Sequence, residues 1–502
     1  MLKKILGDTD PIVFWISAAV AGIFVLWGIV SPDNMAAAVN ATFKFLIDNF
    51  GWSYLIGVMF FVIFVVGIAF SKYGSVKLGK DDEKPEYSTF SWFTMLFSAG
   101  MGIGLVFWSI AEPMYHYVTP PFGEGATPEA VETAMRYSFF HWGLHPWAIF
   151  VVVGMALAYA QFRKGLPGLI SSTLYPVLGD RVNGPWGKAV DILAVFATLF
   201  GVATSLGLGA MQINSGLEAV YGVPNNTTVT VVIIAIVTGL FIISAVSGIN
   251  RGILYLSNAN IVLMTILLVF LLVVGPTRFI LNLFTDSLGA YFQNILKMSF
   301  WTDPVKQGGW AGGWTIFYWA WWIAWAPFVG GFIARISRGR SIKEFLVGVL
   351  LVPSAVSLFF ISVFGGSGLY QEMFGPGGIS EAVQANVASA LFVTLDTFPL
   401  ASILSTLAVI LIGTFFITSA DSATFVVAML TSKGNLQPNT GLKVTWGLVE
   451  GSIAAVLLFT GGLSALQTAS IASAFPFMLV MFVMCYAMYK ALKAEELPVK
   501  KD

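Results

Sequence analysis

The chain is short of charge. Of its 502 residues only 10% are Asp, Glu, Lys or Arg, where a water-soluble protein carries about a quarter. Acids and bases balance at 26 each, so no basic excess is available to neutralise phosphates, and nucleic acid is excluded as a partner. A single cysteine, Cys485, rules out an intrachain disulfide and a cysteine-built zinc site. No connection between apolar stretches is long enough to hold a separate soluble domain.

Apolar residues fill the space that charge leaves: 57% are hydrophobic and 15% aromatic, with a mean hydropathy of +0.82. A hydrocarbon layer of about 30 Å is crossed by about 20 apolar residues in a helix. Twelve runs of that size recur, near 11–31, 51–71, 91–113, 138–161, 190–213, 228–248, 258–281, 313–334, 345–367, 399–428, 444–461 and 465–490. The first is too long for the apolar part of a signal peptide and lacks a small-residue cleavage site, so it reads as a retained helix. Twelve spans put both termini on one side. Most of the 26 Lys and Arg then fall on that side, and only Lys44, Arg136, Arg278, Lys297 and Lys306 on the other, which makes the termini cytoplasmic.

The expected architecture is therefore an all-α membrane domain over 1–502. Two additional helices occupy 1–90, a first repeat 91–282, a connector 283–312, a second repeat 313–490 and a short cytoplasmic tail 491–502. Residues 283–298 of the connector carry apolar positions at helical spacing and suit an amphipathic helix lying at the interface.

Site candidates come from interruptions in the spans, because irregular backbone at membrane depth persists only where protein or a water-filled cavity satisfies it. Span three holds Gly100, Gly102 and Gly104 within Ser98-Ala-Gly-Met-Gly-Ile-Gly104, and span eight holds Pro327, Gly330 and Gly331. Breaks five spans apart fit two inverted five-helix repeats, spans 3–7 and 8–12. The plainer alternative is that the glycines let helices pack closely. A nucleotide loop is excluded, since no strand precedes Gly100 and no phosphate-binding lysine follows.

Beside these breaks lie aromatics. Tyr318, Trp322 and Trp325 share a helical face, and span four adds Trp142, Trp147 and Phe150 on one arc. Several indole faces around a quaternary ammonium make an aromatic cage, each attracting the cation by roughly 0.5 to 2 kcal/mol. Singly, such residues are membrane-interface anchors or packing groups.

Ionisable groups in or near the spans are few: Glu112, His141, His145, Asp191 and Asp421. His141 and His145 stand four apart, a spacing compatible with a metal, but no third ligand accompanies them, so no metal other than a coupling ion is expected and the histidines read as hydrogen-bonding groups. Asp421 reads as a structural or gating tie. Thr418 and Ser419, with carbonyls freed at the glycine break, supply hard oxygens suited to Na⁺. Their hydroxyls are equally suited to bonding carbonyls one turn back. No nucleophile, base and metal set emerges, so an enzyme is not expected and no cofactor is implied.

Gly100-Met-Gly-Ile-Gly104 with Ala111-Glu-Pro113, Phe140-His-Trp-Gly-Leu-His145, Phe317-Tyr-Trp-Ala-Trp-Trp322, Phe332-Ile-Ala-Arg-Ile-Ser-Arg-Gly-Arg340 and Phe415-Phe-Ile-Thr-Ser-Ala-Asp-Ser422 resemble the betaine/carnitine/choline transporters over essentially the whole chain. The likeness is greatest to short, sodium-coupled glycine betaine transporters of bacteria. It implies a LeuT-like inverted-repeat fold, a homotrimer in the inner membrane, and alternating access for an osmoprotective solute. It also implies a substrate cage of Trp142, Trp147, Trp321, Trp322 and Trp325, with Phe150 where the family commonly has Tyr. A sodium site falls on the carbonyls of Ser98, Met101 and Phe415 and the hydroxyls of Thr418 and Ser419. A second falls on Thr198 and Phe328, but the position one turn after Thr198 is Val202, which has no hydroxyl. Arg335, Arg338 and Arg340 read as topology and gate-pairing residues.

Glycine betaine is expected over choline. A cationic substrate gains from a carboxylate beside the cage, whereas a zwitterion brings its own, and Gly104 carries none. The alternatives are a proton-coupled choline symporter and a sodium-independent carnitine or betaine exchanger. The exchanger would need a fixed positive charge where the ion sits, and no Lys or Arg lies within the spans meeting there.

Overall fold

The computed structural model describes residues 9–100, 102–247, 250–305 and 309–495, with backbone alone at 97–100, 247 and 250–254. Among these residues the chain is helical, and its one extended pairing is an isolated antiparallel bridge between Lys77 and Ser341. The principal helices are α1 (Pro11–Val30), α2 (Pro32–Phe70), α3 (Thr89–Gly100), α4 (Ile103–Val118), α5 (Pro128–Trp142), α6 (Leu144–Ala158), α7 (Pro185–Tyr221), α8 (Thr227–Ser247), α9 (Asn250–Val274), α10 (Thr277–Ser299), α11 (Phe317–Ile336), α12 (Ile342–Phe374), α13 (Ile379–Ala385), α14 (Ala390–Leu395), α15 (Ala401–Leu430) and α16 (Thr440–Lys493).

Ten helical segments among the described residues are long and apolar enough to cross a membrane. Among the described residues each of the twelve expected runs is mostly helical, although the run at 258–281 crosses the Gly275–Pro276 joint between α9 and α10. Two features account for the difference: the third run is split into α3 and α4, each too short to cross alone, and the last two runs form one assigned helix, α16. Within α16 the path turns at Gly462, whose φ of 57° lies where glycine is favoured.

Burial sorts the helices into an inner and an outer set. The most apolar 18-residue stretch within Pro128–Arg163 is 94% buried and that within Gly312–Ile336 89%, whereas only 22% of the corresponding stretch within Tyr255–Val274 is buried. The outer helices expose Ile23, Leu26, Ile63, Ile236, Ile243 and Val273, an apolar girdle that requires hydrocarbon around it.

Three expectations need correction. The break expected at Trp325–Gly331 is absent, and α11 runs on through Pro327. Proline there removes one hydrogen bond, but the helix is held by a close crossing with α6: a β-carbon on Gly330 would lie 2.8 Å from Val153 Cβ and 3.1 Å from the backbone N of Gly154. Packing therefore explains Gly330, while a β-carbon on Gly331 would meet only Leu157 at 4.0 Å, and the repeat symmetry drawn from two breaks loses its second member. The irregular turn in this region is instead a π-turn at Gly312–Ile316. Span four, expected as one helix over 138–161, is interrupted at Gly143 between α5 and α6. There the Tyr291 hydroxyl on α10 accepts from the Leu144 N–H at 3.2 Å, satisfying a donor freed at the start of α6. The connector helix is α10, which begins at Thr277 and buries Ile280, Ser287, Tyr291 and Met298 along one face.

Candidate functional site

Helix α4 starts after Gly102, an extended residue that offers no side-chain cap. Its first N–H groups therefore lack helical acceptors, and such a terminus favours an anion. Gly104 lies in this first turn. A β-carbon there would fall 2.5 Å from Cη2 of Trp321 and 3.3 Å from Cη2 of Trp142, so the bare backbone lies flush against two indole edges. A β-carbon on Gly102 would lie 3.8 Å from Ser419 Oγ on α15. The start of α4 thus faces both the tryptophans and the Ser419 hydroxyl.

The tryptophans form one cluster. Trp321 stacks on Trp322 with ring centroids 4.8 Å apart, and Trp142 stands edge-on to them at 6.3 and 4.9 Å. Phe150 meets Trp322 edge-on at 5.9 Å, Trp147 meets Phe150 at 5.7 Å, and Trp325 meets Trp321 at 6.2 Å and Phe328 at 5.6 Å. All are buried. Two of their N–H groups are fixed by backbone: Trp322 donates to the His141 carbonyl at 3.1 Å, one of those left free at the end of α5, and Trp325 donates to the Gly201 carbonyl at 2.8 Å. Because Gly143 intervenes, Trp142 reaches the cluster from α5, and Trp147 and Phe150 from α6.

Behind the cluster is a wholly buried hub on Glu112. Its Oε2 accepts from the Trp142 indole at 2.8 Å and the Tyr318 hydroxyl at 2.5 Å. Its Oε1 lies 2.6 Å from His141 Nδ1 and 3.2 Å from His116 Nε2, and His141 Nε2 lies 2.9 Å from Thr315 Oγ1. Glu112, His116 and His141 are close enough to hold a metal ion. The geometry is that of a hydrogen-bonded network, since both ring nitrogens point at one oxygen at hydrogen-bond distance. Sequence reading named Glu112 and His141 separately and missed His116, although its position four residues after Glu112 was a usable signal. It also missed Glu450, which is buried in α16 and accepts from Thr424 Oγ1 at 2.8 Å.

The other ionisable candidates serve packing. His145 is separated from His141 by the Gly143 break, stacks on Trp319 at 5.2 Å and reaches Ser299 Oγ at 2.9 Å. Asp191 accepts from Ser171 N and Oγ, and Asp421 from Ser244 Oγ at 2.8 Å. Of the proposed sodium ligands, Met101 lies outside the described residues, and Ser98, like the substrate-site candidate Gly100, falls in the last turn of α3 where backbone alone is described. Phe415 is buried in α15, and the Thr418 hydroxyl donates back toward the Thr414 and Phe415 carbonyls while accepting from Asn260 at 3.2 Å. Thr198 likewise bonds back to Ala194 at 2.9 Å.

On the face bearing the bridge between Lys77 and Ser341, a charged clasp joins two loops. Arg338 pairs with Glu83 at 2.5 Å; Arg340 donates to the Tyr87 carbonyl at 2.8 Å, pairs with Glu344 and covers the Trp92 ring at 4.0 Å. Arg335 is exposed near Tyr87. The Lys80 backbone N–H, with Arg338, holds the Glu83 carboxyl below its ordinary value. Close by, Arg163 joins Asp81 at 2.8 Å to Glu495 at 2.7 Å, and Lys164 and Tyr159 also bond Glu495. Burial pushes Glu495 up, but the bonds from Arg163, Lys164 and Tyr159 outweigh it and bring its pKa down to about 2.

The family model for the betaine/carnitine/choline family transporters matches residues 12–497. The chain belongs to that family. It is 54% identical over 97% of its length to the glycine betaine transporter OpuD of Bacillus subtilis, covering 96% of that protein. It is 52% identical over 96% of its length to a probable glycine betaine transporter of Desulfitobacterium hafniense, covering 97% of it, and 46% identical over 98% to an ectoine/hydroxyectoine transporter of Virgibacillus pantothenticus, covering 98% of it. As a betaine/carnitine/choline family member it is an integral membrane transporter and not an enzyme. Its relatives are bacterial.

Proposed function

We propose that the chain imports glycine betaine, a small zwitterionic quaternary ammonium solute, in symport with Na⁺. The observation that carries this reading is the contact of Gly104 with Trp321 and Trp142. It sets the N–H groups at the start of α4 against the edges of two indoles of the tryptophan cluster, and so offers a place for each end of a zwitterion: N–H groups for the carboxylate, the π-systems of the cluster for the trimethylammonium. The names of the two glycine betaine relatives point the same way.

Sodium belongs to the same reading. Its ligands are the carbonyls of Ser98, Met101 and Phe415 and the hydroxyls of Thr418 and Ser419, supported by the approach of Gly102 to Ser419. Thr418 turns its hydroxyl from its own helix to the ion, and Na⁺ then ties the break between α3 and α4 to α15. A weaker second site takes Thr198 and Phe328. The family resemblance adds a LeuT-like core of two inverted repeats, a homotrimer, cytoplasmic termini and alternating access in the bacterial inner membrane, with Arg338, Arg340 and Asp421 as structural or gating ties.

The test is uptake of labelled glycine betaine into proteoliposomes under an inward Na⁺ gradient, against K⁺ and against a pH gradient, with choline, carnitine and ectoine as competitors. Accumulation with Na⁺ alone, competed weakly by choline, is the expected result. Uptake driven by protons, or exchange indifferent to gradients, would remove the sodium site and leave the cage; strong competition by ectoine alone would move the substrate.

A further inference from the structure

Glu112 lies behind the aromatic cluster, on the far end of the Trp142 indole from Gly104, and the network around it fixes its role. Four groups converge on it: two imidazole nitrogens on Oε1, the Trp142 indole and the Tyr318 hydroxyl on Oε2. The indole N–H can only donate, so Oε2 accepts; with the Tyr318 hydroxyl also donating to Oε2 and both imidazoles able to donate to Oε1, the network is built to hold Glu112 as a carboxylate. Thr315 can donate to His141 Nε2, so a neutral His141 satisfies both of its sides. The charge is fully buried, where a low dielectric lets it act beyond its immediate contacts.

Trp142 carries that charge toward the cage. Its Nε1 end bonds Glu112, while its Cη2 edge faces Gly104. A carboxylate accepting from an indole N–H also pushes electron density into the ring and makes its face more negative. Glu112 lies eight residues along α4 from Gly104, about 12 Å at 1.5 Å per residue. The site is thus polarised, with negative charge at one end of the indole and the free N–H groups of α4 near the other.

Building on the betaine reading above, we propose that Glu112 is a specificity-determining residue: acting through Trp142, it makes the cage select a positively charged head over a neutral head of the same shape. Glu112 is a positioning and tuning group in this scheme and does not touch the substrate.

The probe is 3,3-dimethylbutanoate, in which carbon replaces the nitrogen of glycine betaine, leaving shape and carboxylate intact and removing the positive charge. Binding of both ligands to purified protein is measured for wild type and Glu112→Gln, which keeps the size and removes the charge. Glycine betaine should weaken about tenfold, with 3,3-dimethylbutanoate changed less than about twofold, so their affinity ratio collapses. Equal loss for both ligands would mean that Glu112 only holds the ring in place and would overturn the proposal, as would no loss for either. Trp142→Phe keeps an aromatic ring and removes the N–H link, so it should reproduce the collapse even where Glu112→Gln fails to fold; an unchanged ratio in Trp142→Phe would equally overturn it. Wild-type protein that binds no glycine betaine at all would instead sink the functional reading on which the proposal rests.

Discussion

Gly104 and Trp321 occupy a space with no room for one more carbon: a β-carbon on the glycine would stand 2.5 Å from the indole Cη2. Gly104→Ala should push the ring aside at an overpacking cost of about 1–3 kcal/mol and raise the half-saturation concentration for glycine betaine. Gly104→Asp adds a carboxylate to the same displacement. Absolute uptake should fall for both substrates, while the ratio of choline to glycine betaine uptake rises. A ratio unchanged from wild type would place the substrate away from Gly104.

Removing a cage ring tests the aromatic site directly. Trp322→Ala and Trp325→Ala should each raise the half-saturation concentration by roughly 2- to 30-fold, the equivalent of about 0.5–2 kcal/mol of cation attraction. Each substitution also frees a backbone carbonyl, of His141 or Gly201, so Trp→Phe variants separate the lost hydrogen bond from the lost ring. Transport kinetics indifferent to both alanine variants would dissolve the cage.

The hydroxyl pair bears on ion coupling. Thr418→Ala combined with Ser419→Ala should raise the Na⁺ concentration for half-maximal uptake by about tenfold or more, with little change in thermal stability, because each isolated hydroxyl contributes only about 1 kcal/mol to the fold. Wild-type Na⁺ dependence in the double variant would relocate the ion.

The ion cluster on Glu495 predicts a stability profile. Glu495 is held at about 2, well below the ordinary glutamate value, so the stability it adds is full above about pH 4.5 and is lost as pH falls toward 2. Glu495→Gln should therefore lower Tm by roughly 1–2 °C at pH 7. The gap between variant and wild type should narrow below about pH 4.5 and close only near pH 2, and a gap that persisted there would assign the loss to packing.

Helices were legible because apolar runs of crossing length are a local signal, and the glycines at 100–104 marked the α3/α4 interruption. The convergence of Trp142 with Trp321 and Trp322 was legible as two aromatic clusters, though not as one surface. Two things escaped. Pro327 with Gly330 and Gly331 reads like a break, but the packing of Gly330 on Val153 and Gly154 turns the same residues into a close helix crossing, which only tertiary structure reveals. Conversely, Gly143 looks like any membrane glycine, and its interruption is stabilised by a hydroxyl from Tyr291, 147 positions away from Leu144. Glu112 was visible as a charge in the wrong place. Its four partners come from three helices; His116, one turn on, was signalled by its spacing, but nothing in the sequence announces that His141, Trp142 and Tyr318 meet it there.

The bond from Leu144 to Tyr291 also has a mechanical side. It fastens α10 to the backbone one residue beyond the α5/α6 hinge, two residues from the Trp142 ring. Any shift of α10 must either shear that bond or drag the hinge with it. The connector is thereby a strut bearing on the tryptophan cluster, and any displacement of α10 has a short route to the ring that Glu112 holds.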